Sequence, residues 1–142
     1  MRLSQNFTLD EFVQSSTAKK LNIDNTPSRE SIENLKIMCD RLLEPLRKNI
    51  GCPIIILSGY RCPKLNKAVG GTEKSQHQEG KAADIKVLNL NNLKLYQKIQ
   101  TDHEFDQLIL ENCYDPYFYS GWVHVSWNGV KNRNKSFIFD CL

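Results

Sequence analysis

The chain predicts an α+β fold, a small, mostly antiparallel sheet with helices packed on one face. Three observations point there. Apolar residues at helical spacing dominate the front of the chain, short β-branched runs follow them, and the 142 residues, 40% hydrophobic and 25% charged, suit one compact domain over residues 1–142. The first element is a short helix in TLDEFVQS, capped by Thr8 and carrying Leu9, Phe12 and Val13 on its apolar side. The following TAKKLNIDNTPS is polar and reads as turns. Thr26-Pro27 then opens the main helix, since proline favours the first helical position and Glu30 and Glu33 suit the positive end of the dipole. Ile32, Leu35, Cys39, Leu42, Leu43 and Leu46 recur at helical spacing, and Gly51 stops the run. Pro45 should kink this helix or end it a turn early.

Residues 53–57, PIIIL, read as a buried strand. Residues 58–80, rich in glycine and without periodicity, read as a long structured loop of the kind that carries function. A second strand follows over residues 81–88, then a helix over 89–103. Strands over 105–111 and 122–127 flank the turn-prone NCYDPYFYSG, and residues 137–139 add a last edge strand.

Composition narrows the function. Nineteen Lys and Arg against sixteen Asp and Glu give a net charge of +3, too small and too scattered for a nucleic-acid footprint. No stretch approaches the ~18 apolar residues of a membrane span, and the N-terminus lacks the apolar core of a signal peptide, so no stable membrane association is expected. A chain of this size needs neither disulfides nor an oligomer to be stable, which makes a monomer the expectation. The five cysteines form no CxxC pair, which argues against a zinc ribbon and for folding in a reducing compartment.

Of the three histidines, His77 and His124 carry the chemical interest. In SQHQEGKAAD, Gly80 and two alanines let a loop histidine turn back beside Asp84 on the adjoining strand. In WVHVSW, His124 shares a face with Trp122 and Ser126. If those strands are neighbours, two imidazoles and a carboxylate converge, a donor set suited to catalytic zinc with one position left for water. A histidine in a strand also serves as a hydrogen-bonded structural residue, and spacing alone leaves both readings open. His103, near a helix C-terminus, reads as a partly protonated partner of the helix dipole.

Those same strings carry a resemblance. SGYRCPKLNKAVGG, SQHQEGKAADI, FDQLILE and WVHVSW resemble peptidase family M15, in particular its subfamily A of zinc D-alanyl-D-alanine carboxypeptidases and phage endolysin-type peptidases. The resemblance implies a hedgehog/DD-peptidase-like fold and a zinc cofactor. His77, Asp84 and His124 match the family's zinc ligands. Arg61 matches the arginine that steadies substrate near the metal, and Ser75 the serine that helps hold the substrate's terminal carboxylate. Many members place Glu or Asp three residues before the second histidine ligand, where this chain has Gly121. Glu111, at the end of FDQLILE, is then the candidate general base, with Asp115 in reserve.

The expected function is hydrolysis of an amide in the peptide stem of bacterial peptidoglycan, of carboxypeptidase or endopeptidase type. The enzyme would be made in the cytoplasm, without a signal peptide, and act on the cell wall once a partner had permeabilised the membrane, as phage or prophage lysis enzymes do. The alternative is a non-catalytic peptidoglycan-binding or tail-associated domain that keeps fold and metal site. A wall of aromatic side chains, Tyr117, Phe118, Tyr119, Trp122 and Trp127, surrounds His124 in sequence and suits either a substrate groove or core.

Overall fold

A computed structural model describes residues 1–139 and 141. Helix α1 (Leu9–Val13) begins as expected at Thr8, whose N–H donates to Glu11 Oε2 at 2.7 Å, and it buries Phe12 completely. The polar stretch after it is not all turn. Ser15 Oγ accepts from Ala18 N–H and caps a second short helix, α2 (Ser16–Lys20).

Helix α3 (Arg29–Met38) starts two residues later than Pro27 suggested, because Ser28 Oγ accepts from Ser31 N–H and takes the cap position. Pro45 neither ends nor interrupts the run. A π-helical turn, Cys39–Leu43, precedes it, with Glu44 N–H bonded to the Cys39 carbonyl, and the coil continues as α4 (Glu44–Ile50). Widening the turn shifts the hydrogen-bond register just where the proline ring would meet a carbonyl of the preceding turn. Gly51, at φ 69°, ends the helix in the left-handed conformation.

Strand β1 (Ile54–Ser58) is followed by α5 (Pro63–Ala68), a 3₁₀ turn (Gln76–Glu79), β2 (Ala82–Val87), α6 (Asn92–Asp102), β3 (Gln107–Glu111), β4 (Trp122–Ser126) and β5 (Lys135–Phe139). The presumed loop over residues 58–80 therefore holds two helical pieces, the first opened by Pro63 behind Cys62, whose Sγ accepts from Leu65 N–H. The strands form one sheet in the order β1-β2-β4-β3-β5. All neighbours are antiparallel except β3 and β5, which run parallel, so the sheet is mixed. Strand β1 lies at an edge and leaves Ile55 and Leu57 exposed, where a buried strand was expected.

One face of the sheet presents Ala83, Ile85, Leu108, Leu110, Val123 and Val125 to a core shared with Leu35, Met38, Leu42, Leu46, Leu95 and Ile99. Full burial of each large aliphatic side chain contributes about 1.5–3 kcal/mol, enough to fix the register of every strand that takes part. Strand alternation then sends Asp84, Ile109, Glu111, Trp122 and His124 to the other face. The long helices keep to the core side, as expected, while α5 and the 3₁₀ turn wall the opposite one, where Leu65 and His77 line the same hollows as Asp84. No helix among the described residues is long and apolar enough to cross a membrane.

Candidate metal centre

Asp84 and His124 are register partners on the adjacent strands β2 and β4. His124 Nδ1 stands 3.0 Å from Asp84 Oδ1. His77 reaches the same oxygen from the 3₁₀ turn, with Nε2 at 3.4 Å. That turn is fixed at both ends. Ser75 Oγ accepts the His77 N–H at 3.3 Å, and Gly80 closes the turn at φ 73° against Ser31, whose carbonyl oxygen would lie 2.4 Å from any added Cβ.

The tautomer of His77 follows from its partner. Its Nδ1 lies 2.6 Å from the carbonyl oxygen of Gly59, which can only accept, so Nδ1 carries a proton and Nε2 is the nitrogen turned toward Asp84. A backbone carbonyl orienting a ligand histidine is a recurrent feature of metal sites. The imidazole rings of His77 and His124 stand edge to face at 5.2 Å. One donor atom from each of His77, Asp84 and His124 lies within 4.8 Å of the other two. Tetrahedral zinc with ligands at ~2.0–2.1 Å spaces its donors by roughly 3.3 Å, and the 3.0 and 3.4 Å separations around Asp84 Oδ1 fit that spacing. Two imidazoles and one carboxylate are also the right donors for this metal.

The second oxygen of Asp84 accepts from Arg61 Nη2 at 3.2 Å. Arg61 is itself anchored through Nε to Ser58 and through Nη1 to Asn66, so in this state it orients a carboxylate of the cluster. Burial opposes ionisation of Asp84, yet His77 and His124 outweigh it and hold the carboxyl well below the usual carboxylate range.

Glu111 is the register partner of Trp122, whose Nε1 donates to Glu111 Oε2 at 2.5 Å. It lines a cavity of about 660 Å³ together with His77, Asp84, His124, Arg61 and Ser75, though it is not one of the three clustered groups. The three expected metal ligands, Arg61, Ser75 and the candidate base Glu111 thus border one hollow. Asp115 does not. Its carboxylate is taken up by its own loop, accepting from the backbone N–H groups of Tyr117, Tyr119 and Ser120 and from the Ser120 hydroxyl. Those bonds, led by the hydroxyl, hold it below the usual range. His103 caps the C-terminus of α6 through its backbone and stands beside Asn49, and burial lowers its imidazole pKa, which works against the partly protonated partner of the dipole expected there. Of the aromatic wall, Trp122 lines the hollow while Tyr117 and Tyr119 point to solvent. All five cysteines are free thiols, and burial pushes Cys39 up to about 12.

Gly121 is explained by the same strand pair. Its φ is +76°, and a Cβ there would stand 2.0 Å from the carbonyl oxygen of Glu111. No carboxylate side chain fits three residues before His124. Gly121→Ala is expected to cost about 2–4 kcal/mol in urea unfolding, from the left-handed backbone plus the collision; an unchanged midpoint would contradict this packing.

Sequence reasoning missed Gly59, a backbone contribution with no side chain to read, and a buried group beside the cluster. Asp106 is fully buried and accepts from Gln76 Nε2 and from Arg133, both of which also line the cavity. Hydrogen bonds from the Arg133 side chain, opposed by burial and helped by the Arg133 backbone and Gln76, bring its carboxyl down to about 2. A depressed folded-state pKa stabilises the fold above the ordinary carboxylate value, and that contribution fades as pH falls through about 2. Thermal melts from pH 5 to pH 2 should therefore lose less for Asp106→Asn than for the parent; parallel losses would count against this role.

A polar cavity bordered by a His-Asp-His cluster and a nearby glutamate is an arrangement suited to metal-dependent hydrolysis. Residues 5–126 match the family model described as Peptidase M15, and the chain belongs to that family of metallopeptidases. The match covers the cluster, Arg61, Ser75 and Glu111, and stops before Arg133 and β5. No curated protein matches the chain.

Proposed function

We propose that the protein is a zinc peptidase that cleaves an amide bond in the peptide stem of bacterial peptidoglycan, with His77, Asp84 and His124 holding the ion. The observation that carries this reading is the convergence of one free imidazole nitrogen from His77, one from His124 and one Asp84 oxygen within 4.8 Å, beside a glutamate in a cavity. Bound zinc would supply Lewis acidity and a water whose pKa is lowered to about 7. Glu111 receives a proton from the attacking water on Oε1, since Trp122 pins Oε2, and returns it to the amine as the C–N bond breaks. Arg61 holds Asp84 and turns its remaining N–H groups to the oxyanion that develops on the carbonyl. Ser75 fixes His77 and borders the substrate.

The trough favours endopeptidase action. A second hollow of about 340 Å³ shares Arg61, Val69, Asp84 and Trp122 with the larger one. It extends toward β1 and α2, whereas the larger hollow extends toward β3 and β5, so an extended peptide has room on both sides of Asp84.

Digestion of defined muropeptides, read by mass spectrometry, tests this. Zinc-loaded protein should add one water across an internal stem bond and expose one new amine, lose this activity to a chelator, and regain it with zinc. Release of terminal alanine alone would replace the endopeptidase reading with the carboxypeptidase one. Absence of any new amine with metal-loaded protein would refute the peptidase reading.

A further inference from the structure

We propose that Arg133 binds a carboxylate of the peptide substrate at the β3–β5 end of the cavity. The inference rests on the peptide-substrate reading above and adds the recognition element that reading lacks. Arg133 lies beyond the residues that match the family.

The argument starts at Asp106, which is fully buried just before β3. Its Oδ1 accepts from the Arg133 backbone N–H at 2.9 Å and from Nε at 3.0 Å. Its Oδ2 accepts from Arg133 Nη2 at 2.7 Å and from Gln76 Nε2 at 2.8 Å. A carboxylate has about four acceptor sites, so Asp106 is saturated and cannot compete for further donors. It grips the guanidinium along the Nε–Nη2 edge. The Nη1–Nη2 edge is left over, with no other acceptor among the described residues, on a side chain 46% exposed that lines the cavity.

That free edge presents two parallel N–H groups, the geometry that matches a carboxylate. Because a buried anion locks the opposite edge, the fork is held in position before substrate arrives, and little ordering entropy is spent on binding. Arg61 is more fully committed, since Nε, Nη1 and Nη2 each already donate to Ser58, Asn66 or Asp84, which leaves one N–H on each terminal nitrogen, and its side chain is only 17% exposed.

Gln76 adds an independent sign. Asp106 fixes its amide with the NH₂ inward, which places Oε1 in a buried position without a hydrogen-bond partner. A buried acceptor left open beside a cavity is satisfied by an N–H of a ligand. Gln76 and Arg133, tied through one carboxylate, thus offer an acceptor and a fork to a peptide unit bearing an N–H and a nearby carboxylate.

The carboxylate is either the C-terminal one or a free internal carboxylate of the stem, and amidation separates them. Three synthetic stem peptides serve as probes: the free acid, its C-terminal amide, and the form amidated at its internal carboxylates. The zinc-loaded parent should show a KM about 10–100-fold lower for the free acid than for one of the two amides, as expected for a charged hydrogen-bonded pair. Arg133→Lys should lose much of that preference. Asp106→Asn combined with Arg133→Gln, which replaces the ion pair by a neutral pair and leaves no lone buried charge, should abolish it, with kcat within about threefold. Thermal melts confirm that each variant is folded. Equal KM values for all three peptides in the parent, or an equal loss for acid and amides in the variants, would overturn the proposal. Should the parent cleave none of the peptides, the peptidase reading fails instead, and calorimetric titration of the same peptides decides for Arg133. Tighter binding of the acid that the variants lose supports the proposal, and equal binding overturns it.

Discussion

Asp84→Asn is expected to lose zinc and to lower kcat/KM by at least about 10³-fold while the protein still folds. Asp84 is the hub of the cluster, with one oxygen facing both His77 and His124 and the other facing Arg61. An amide of the same shape keeps the packing on β2 but brings neither the charge nor a second strong acceptor. Arg61 would then sit against an uncharged group with its other donors still anchored, and the His77 and His124 nitrogens would lack an anionic co-ligand. Zinc stoichiometry after dialysis, far-ultraviolet circular dichroism and hydrolysis of a stem peptide measure the three consequences separately. An Asn variant that retains a full equivalent of zinc and parental turnover would remove Asp84 from the centre.

Glu111→Gln should lower kcat by about 10²–10⁴-fold with zinc content and melting temperature unchanged, because general-base catalysis is lost and nothing else is. The glutamine carbonyl can still accept from Trp122 Nε1, so strand β3 and the cavity wall keep their geometry. This separates a base from a residue that merely braces the site, since a bracing role would also shift zinc affinity or stability. Asp115→Asn is the matched control, its carboxylate being committed to the loop over Tyr117, Tyr119 and Ser120. Catalysis there should stay within about twofold of the parent. If the Gln variant turned over normally, Glu111 would not be the base, and the catalytically silent wall-binding alternative would remain only if the parent were inactive too.

The parts of the site legible in the sequence were those governed by strand alternation. His124 between two valines and Asp84 beyond two alanines had to face away from the core once the strands paired, and they do so in direct register. The start of α1 and the stop at Gly51 were equally legible, because each depends on a local cap. The short helices α2 and α5 were not, at five and six residues, since helices of that length show no periodicity and depend on their caps and on tertiary packing. A cysteine, which is not a usual capping residue, caps α5. The His77–Gly59 bond was hidden because a carbonyl has no residue code. The Asp106–Arg133 pair was hidden because its members meet only when β5 returns beside β3, and a parallel pairing of that kind leaves no hairpin signal.

The two-faced sheet means that chemistry and core are written along the same strands in alternate letters. On β2 and β4 even-numbered residues turn to the side of the candidate site and odd-numbered ones to the core, while on β3 the assignment is reversed. Parity therefore carries the function. Loss of a single residue from the middle of β2 would turn Asp84 into the apolar interior and push Ile85 into the trough, breaking fold and catalysis in one step. Substitutions can tune this enzyme gradually, but insertions and deletions within its central strands cannot, and its lineage should vary in length at the loops alone.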